Sequence, residues 1–167
     1  MTDENKGTPG AYVGHAHLKV ADLGRSIKFY RDVIGMRVML LYGEQAAFLS
    51  FDDYHHHLGL NTWESLKGTP PPQGHTGLYH VAFLFPDRET LGRVVDRVQR
   101  AGYELTGSAD HGVSEAVYLN DPDGNGLELY RDRPKAEWNM DDDNLPKIIN
   151  APLDVDSLIY EARSKNS

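Results

Sequence analysis

Two histidines hold the same place in two similar stretches of this chain. His15 precedes Asp22 by seven residues, and His80 precedes Asp87 by the same seven. Each histidine lies in a run that alternates like a strand, and each aspartate opens a run with apolar residues at helical spacing. In the first stretch these are Leu23, Ile27, Tyr30 and Ile34; in the second they are Leu91, Val94, Val95 and Val98. An aspartate there caps a helix, and Gly35 and Gly102 stand where a left-handed residue is needed to end one. Three short alternating runs follow each helix: 36–41, 46–51 and 56–63, then 103–107, 114–119 and 126–130.

The repeat predicts an α+β fold of two βαβββ units, 11–66 and 78–133, forming a half-open barrel within one domain, 11–133. The segment between them, 67–77, carries Pro70, Pro71 and Pro72 with three glycines and reads as a linker. In each opening strand the apolar face lies opposite the histidine: Leu18 and Val20 against His15, and Val81, Phe83 and Phe85 against His80. The apolar faces pack under the helices, which leaves the histidine faces lining a concavity. Residues 1–10 read as a flexible arm. The segment 134–167 breaks the repeat, but Trp138, Ile148, Ile149, Leu153, Leu158 and Ile159 give it enough apolar surface to pack on the barrel, with a final helix near 156–165.

Composition removes several functions. A net charge of -8 is wrong for a general nucleic-acid binder, which needs basic groups to neutralise phosphates. With no cysteine there is no disulfide framework and no thiolate ligand, so a bound metal must take nitrogen and oxygen donors. The sequence opens without the apolar core of a signal peptide, and no apolar run is long enough to span a membrane. Cytoplasmic location without membrane attachment is the expectation.

Such donors are present. The run V-Y-L-N-D-P-D-G-N-G-L-E-L-Y, residues 117–130, reads as two strands joined by a turn at 121–126, with Leu127 and Leu129 on one face and Glu128 and Tyr130 on the other. A carboxylate there either faces solvent at a sheet edge or points into a cleft. His15 and His80, on equivalent strands, face one another across the cleft with Glu128 nearby. Two neutral imidazoles and one carboxylate on one side of a metal make the facial arrangement used by non-haem Fe(II).

Three runs carry a family resemblance: H-A-H-L-K-V-A-D-L-G-R-S-I-K-F-Y-R-D-V-I-G-M from His15, Y-H-V-A-F from Tyr79, and Y-L-N-D-P-D-G-N-G-L-E-L-Y from Tyr118. Together they resemble the vicinal oxygen chelate superfamily, and within it the type I extradiol dioxygenases, with glyoxalase I and the fosfomycin and bleomycin resistance proteins as relatives. The resemblance implies metal ligation by His15, His80 and Glu128, with His17 the neighbouring alternative to His15. It implies an acid-base histidine at His57, within Y-H-H-H-L-G-L-N-T-W, where His55 and His56 read otherwise as a solvated tract. It also implies a substrate-binding tyrosine at Tyr118, ten residues before Glu128, and a further histidine at His111. Glyoxalase I adds a carboxylate ligand near Gly59, which has none to offer.

By this resemblance the chain is an Fe(II)-dependent enzyme, Mn(II) being the alternative metal, that cleaves a catechol-type diol with O2. The alternatives are a glyoxalase or fosfomycin-type lyase or transferase, and a non-catalytic binder of the same fold. Members of the superfamily often pair, so a homodimer or higher homo-oligomer is expected. Many catechol 2,3-dioxygenases carry two modules in one chain, with the metal in the second; this chain has one module, with all three ligand positions filled.

Overall fold

The computed structural model describes residues 8–165. Most of the arm expected at 1–10 therefore lies outside the described residues; 8–10 are exposed. The first half builds strands β1 (Ala16–Lys19), β2 (Arg37–Tyr42), β3 (Ala46–Ser50) and β4 (Leu58–Asn61), ordered β1-β4-β3-β2. The second half builds β5 (Val81–Leu84), β6 (Leu105–Asp110), β7 (Ser114–Asn120) and β8 (Gly126–Asp132), ordered β5-β8-β7-β6. The opening strand of each half pairs in parallel with the last, Leu18 against Leu60 and Phe83 against Leu129. The parallel pair is reached through a helical crossover, and the other pairs are antiparallel. The architecture is α+β, two mixed four-stranded sheets with helices, and the sheets do not close into a barrel. β1 and β5 both end their sheets.

Helix α1 (Leu23–Lys28) begins where the side chain of Asp22 accepts from the Arg25 amide at 2.9 Å. It then widens into a π-helical segment, Phe29–Ile34, where a plain α-helix was expected, and stops at Gly35 with φ of 97°. The wider turn places adjacent pairs, Phe29 with Tyr30 and Val33 with Ile34, on the buried side together. Helix α2 (Arg88–Arg100) is capped by Asp87, which accepts from the Thr90 amide at 2.7 Å, and it buries Leu91, Val94, Val95 and Val98.

The halves complete each other. Arg97 of α2 donates to the carbonyls of Val33 and Ile34, each at 3.0 Å, where the first half's helical segment leaves acceptors unpaired. In return Asp123, in the turn before β8, accepts from the Ala21 amide, Arg25 and Ser26 at the start of α1. Phe51 lies edge-on to Phe83 and Phe85, with ring centroids 5.4 and 5.8 Å away. A single cluster of buried apolar side chains spans both halves.

Beyond β8 the chain crosses back and ends in helix α3 (Val155–Ser164), which packs on α2 through Leu158, Ile159 and Ala162. Ion pairs Arg88–Glu161 and Arg163–Asp96 flank that contact. Between these elements Ala151 exchanges backbone hydrogen bonds with Asp110 at the end of β6. Among the described residues no helix is long and apolar enough to cross a membrane.

Candidate metal and proton-transfer site

Glu128 lies on β8 between the buried Leu127 and Leu129, so its side chain leaves the opposite face. The hairpin register sets Tyr118 of β7 directly across from it, and the Tyr118 hydroxyl donates to Oε1 at 3.1 Å. On the other flank Ala82 pairs with Glu128. His80, two residues earlier, therefore emerges on the same face, with Nε2 at 3.0 Å from Oε2. His111, in the turn joining β6 and β7, places Nε2 at 2.8 Å from the Tyr118 hydroxyl. Its Nδ1 lies 3.0 Å from the Ile149 carbonyl. A line of hydrogen bonds thus runs from the C-terminal extension through His111 and Tyr118 to Glu128, whose other oxygen lies against His80. His80 and Tyr118 line a cavity of about 540 Å³.

Burial, and then the charge of Glu128, push the Tyr118 hydroxyl up to about 12, so the phenol keeps its hydrogen at neutral pH. That hydroxyl stands between the Glu128 carboxylate, to which it donates, and the His111 imidazole. Tyr130 shares the Glu128 face, and its hydroxyl is also pushed up, by burial first and then by Asp132 and Glu128.

The other candidate histidines gather on the first half. The His15 ring lies beside His56, centroids 4.4 Å apart, and His17 accepts from the Asn61 side-chain amide at 3.0 Å. Burial, and then the neighbouring His15, lower the basicity of both His17 and His56, which favours the neutral imidazole a metal requires. His57 meets Ser50, Nδ1 to Oγ at 2.8 Å, and its Nδ1 also lies 3.4 Å from the Phe51 amide, which donates to it. His15 and His57 line a cavity of about 610 Å³ together with Phe51, Val81 and Phe83.

The structure therefore brings His80, Glu128, Tyr118 and His111 into one line and sets His15 and His57 at another cavity. Among the described residues no group of three or more His, Asp or Glu is arranged to hold a metal ion, so His15 is not gathered onto the His80–Glu128 pair. It precedes β1, an edge strand, and its ring turns toward His56. The pair itself fits a metal. Nε2 of His80 and Oε2 of Glu128 lie 3.0 Å apart, close enough for both to reach one ion. The Nδ1 of His80 is buried without a hydrogen-bond partner among the described residues. Two contributors escaped the sequence reading: Ser50, which cross-strand pairing would have signalled, and the Ile149 carbonyl, a backbone group with no signal of its own.

Comparison with known proteins agrees with this architecture. The description "Glyoxalase/Bleomycin resistance protein/Dioxygenase superfamily" matches residues 12–129. A catechol-2,3-dioxygenase of Bacillus subtilis is 40% identical over 156 residues, which cover 90% of this chain and 52% of the relative. A biphenyl-2,3-diol 1,2-dioxygenase of Rhodococcus globerulus is 35% identical over 72% of this chain and 63% of its own length. The chain thus spans between half and two thirds of these two relatives. A lactoylglutathione lyase of Haemophilus influenzae is 28% identical over 71% of this chain and 91% of its length. Among solved structures, a glyoxalase/dioxygenase of Nostoc punctiforme superposes with a TM-score of 0.64 at 22% identity, covering 78% of this chain and 98% of that one. With both strand-and-helix units matched, from ahead of β1 into β8, this protein belongs to the glyoxalase/bleomycin resistance protein/dioxygenase superfamily.

Proposed function

We propose that this protein is a metal-dependent extradiol dioxygenase that opens the ring of a catechol-type diol beside its two hydroxyls, both atoms of O2 entering the product. The observation that carries this is the His111–Tyr118–Glu128–His80 line, which joins a carboxylate and an imidazole at ligand spacing to two groups able to move a proton. The 40% identity to a catechol-2,3-dioxygenase supports the same reading. His80 and Glu128 would hold the metal, and His15 would complete the set only if its ring moved from beside His56 toward that pair. Bound there, Fe(II), or Mn(II) in its place, would lower the pKa of a coordinated diol hydroxyl and bring diol and O2 together.

The protein's own groups do the rest. His57, held at Nδ1 by Ser50 and the Phe51 amide, would exchange a proton with the diol through Nε2. Tyr118 keeps its hydrogen at neutral pH and holds a substrate oxygen by hydrogen bonding.

Oxygen uptake and the visible spectrum test this when protein loaded anaerobically with Fe(II) meets a panel of catechols. A coloured ring-opened product with one O2 consumed per diol, absent in Glu128→Ala, is the expected result. Bound metal without uptake on any diol would sink it. A lyase is the second reading, favoured by the match to nearly the full length of a lactoylglutathione lyase. It requires turnover without O2.

A further inference from the structure

We propose that residues 147–151 of the C-terminal extension form a positioning strap, in which the Ile149 carbonyl fixes the tautomer of His111 and so governs the Tyr118 hydroxyl. The inference rests on the site assignment above. The strap is held at several points around one histidine. The Ile149 amide donates to the His111 carbonyl at 3.1 Å, while the His111 ring reaches back through Nδ1 to the Ile149 carbonyl at 3.0 Å. One residue before His111, Asp110 and Ala151 exchange both backbone hydrogen bonds at 2.9 Å. One residue after it, Gly112 has φ of +77°, and a β-carbon there would come within 3.2 Å of the Ile149 side chain. Arg133 ties the Asp110 carboxylate down on the far side.

The consequence follows from counting hydrogens. A neutral imidazole carries one N–H, and a carbonyl can only accept. With Ile149 on Nδ1, the hydrogen sits on Nδ1 and Nε2 shows a lone pair to Tyr118, 2.8 Å away. The Tyr118 hydrogen is then sought by His111 and by Glu128 Oε1 at once. In the other tautomer Nε2 would donate to the phenol oxygen, and the hydrogen of Tyr118 would belong to Glu128 alone. The strap therefore keeps the hydroxyl able to turn between two acceptors, as a group that changes partner during a reaction must. Ile149 is a positioning residue acting through its backbone.

Long-range 1H–15N correlation of the histidine rings reads this directly on the full-length chain, metal-free, without substrate, at a pH well above the ordinary histidine range. Wild type should show His111 with Nδ1 proton-bearing and Nε2 bare. Ile149→Val, which keeps the backbone bonds, should match it. Ala151→Pro removes an amide that the strap uses, and should move the two His111 nitrogens toward averaged shifts while His80 stays as in wild type. If Ala151→Pro does not fold, Gly112→Ala, which crowds Ile149, serves in its place. A proton-bearing Nε2 or averaged shifts in wild type, or an unchanged His111 in the strap variant, would overturn the proposal. No step depends on turnover, so failure of the dioxygenase reading and failure of the strap give different results.

Discussion

The hydroxyl of Tyr30 donates to the carboxylate of Asp121 at 2.8 Å, joining the buried helical segment of the first half to the turn before β8 in the second. Asp121 also accepts from the amides of Asp123 and Asn125, so the same carboxylate shapes the turn that ends just short of Glu128. Burial, and then Asp121, push the Tyr30 hydroxyl well above the ordinary tyrosine range. Tyr30→Phe should cost about 1.5–3 kcal/mol, the range for a buried hydrogen bond to a charged group. Urea unfolding checks this, with a lower midpoint at unchanged slope expected.

Tyr118 should titrate apart from exposed phenols. Its hydroxyl ionises at about 12 rather than 10, so the folded state favours the neutral form. The stabilisation this brings is complete below pH 10 and fades as pH rises through about 12. Burial is the larger cause and the Glu128 charge the second, so Glu128→Gln should bring the value only part of the way back. Following the tyrosine ring carbons by NMR against pH, with Tyr118→Phe for assignment, measures it.

Metal affinity should separate the histidines. His80→Ala and Glu128→Gln each remove a donor from the 3.0 Å pair and should weaken Fe(II) or Mn(II) binding by tenfold or more, on the order of 1.4 kcal/mol or above. His15→Ala should do the same if it supplies the third ligand. Unchanged affinity in His15→Ala would remove His15 from the ligand set while leaving the pair in place. Calorimetric titration with Mn(II), which needs no exclusion of oxygen, makes the comparison.

Glu115 is buried and meets Arg88, Arg131 and Arg133 at 2.8 to 3.1 Å. Glu115→Ala leaves Arg131 without a carboxylate partner, while Arg88 keeps Glu161 and Arg133 keeps Asp110. It should destabilise the fold by about 3 kcal/mol, the lower end for breaking a buried pair from one side. The effect should be at least as large as that of Tyr30→Phe in the same urea series.

Much of this was legible in the chain because local physics wrote it there. The caps at Asp22 and Asp87, the helix stop at Gly35 and the alternation of Leu127 with Glu128 follow from residues within a turn or two of one another. Tyr118 opposite Glu128 follows from the turn between them, because a hairpin of known centre sets its own register. The π-helical segment left no comparable mark, since tertiary burial of adjacent residues decided it. The placement of His15 is a matter of how two sheets approach, and alternation says which face a residue takes but nothing of the distance between faces. The strap at Ile149 was hidden for a simpler reason: its chemistry belongs to a carbonyl that every residue carries.

Duplicated units suggest parts that could be traded or separated, and the cross-bracing between these two forbids it. Arg97 finishes a helical segment it does not belong to, and Asp123 opens one. A cut in the 67–77 linker would therefore yield two fragments, the first with bare carbonyls at Val33 and Ile34, the second with a carboxylate that has lost its donors. The repeat is a duplication in sequence and a division of labour in structure, so inheritance of either half makes sense only with the other.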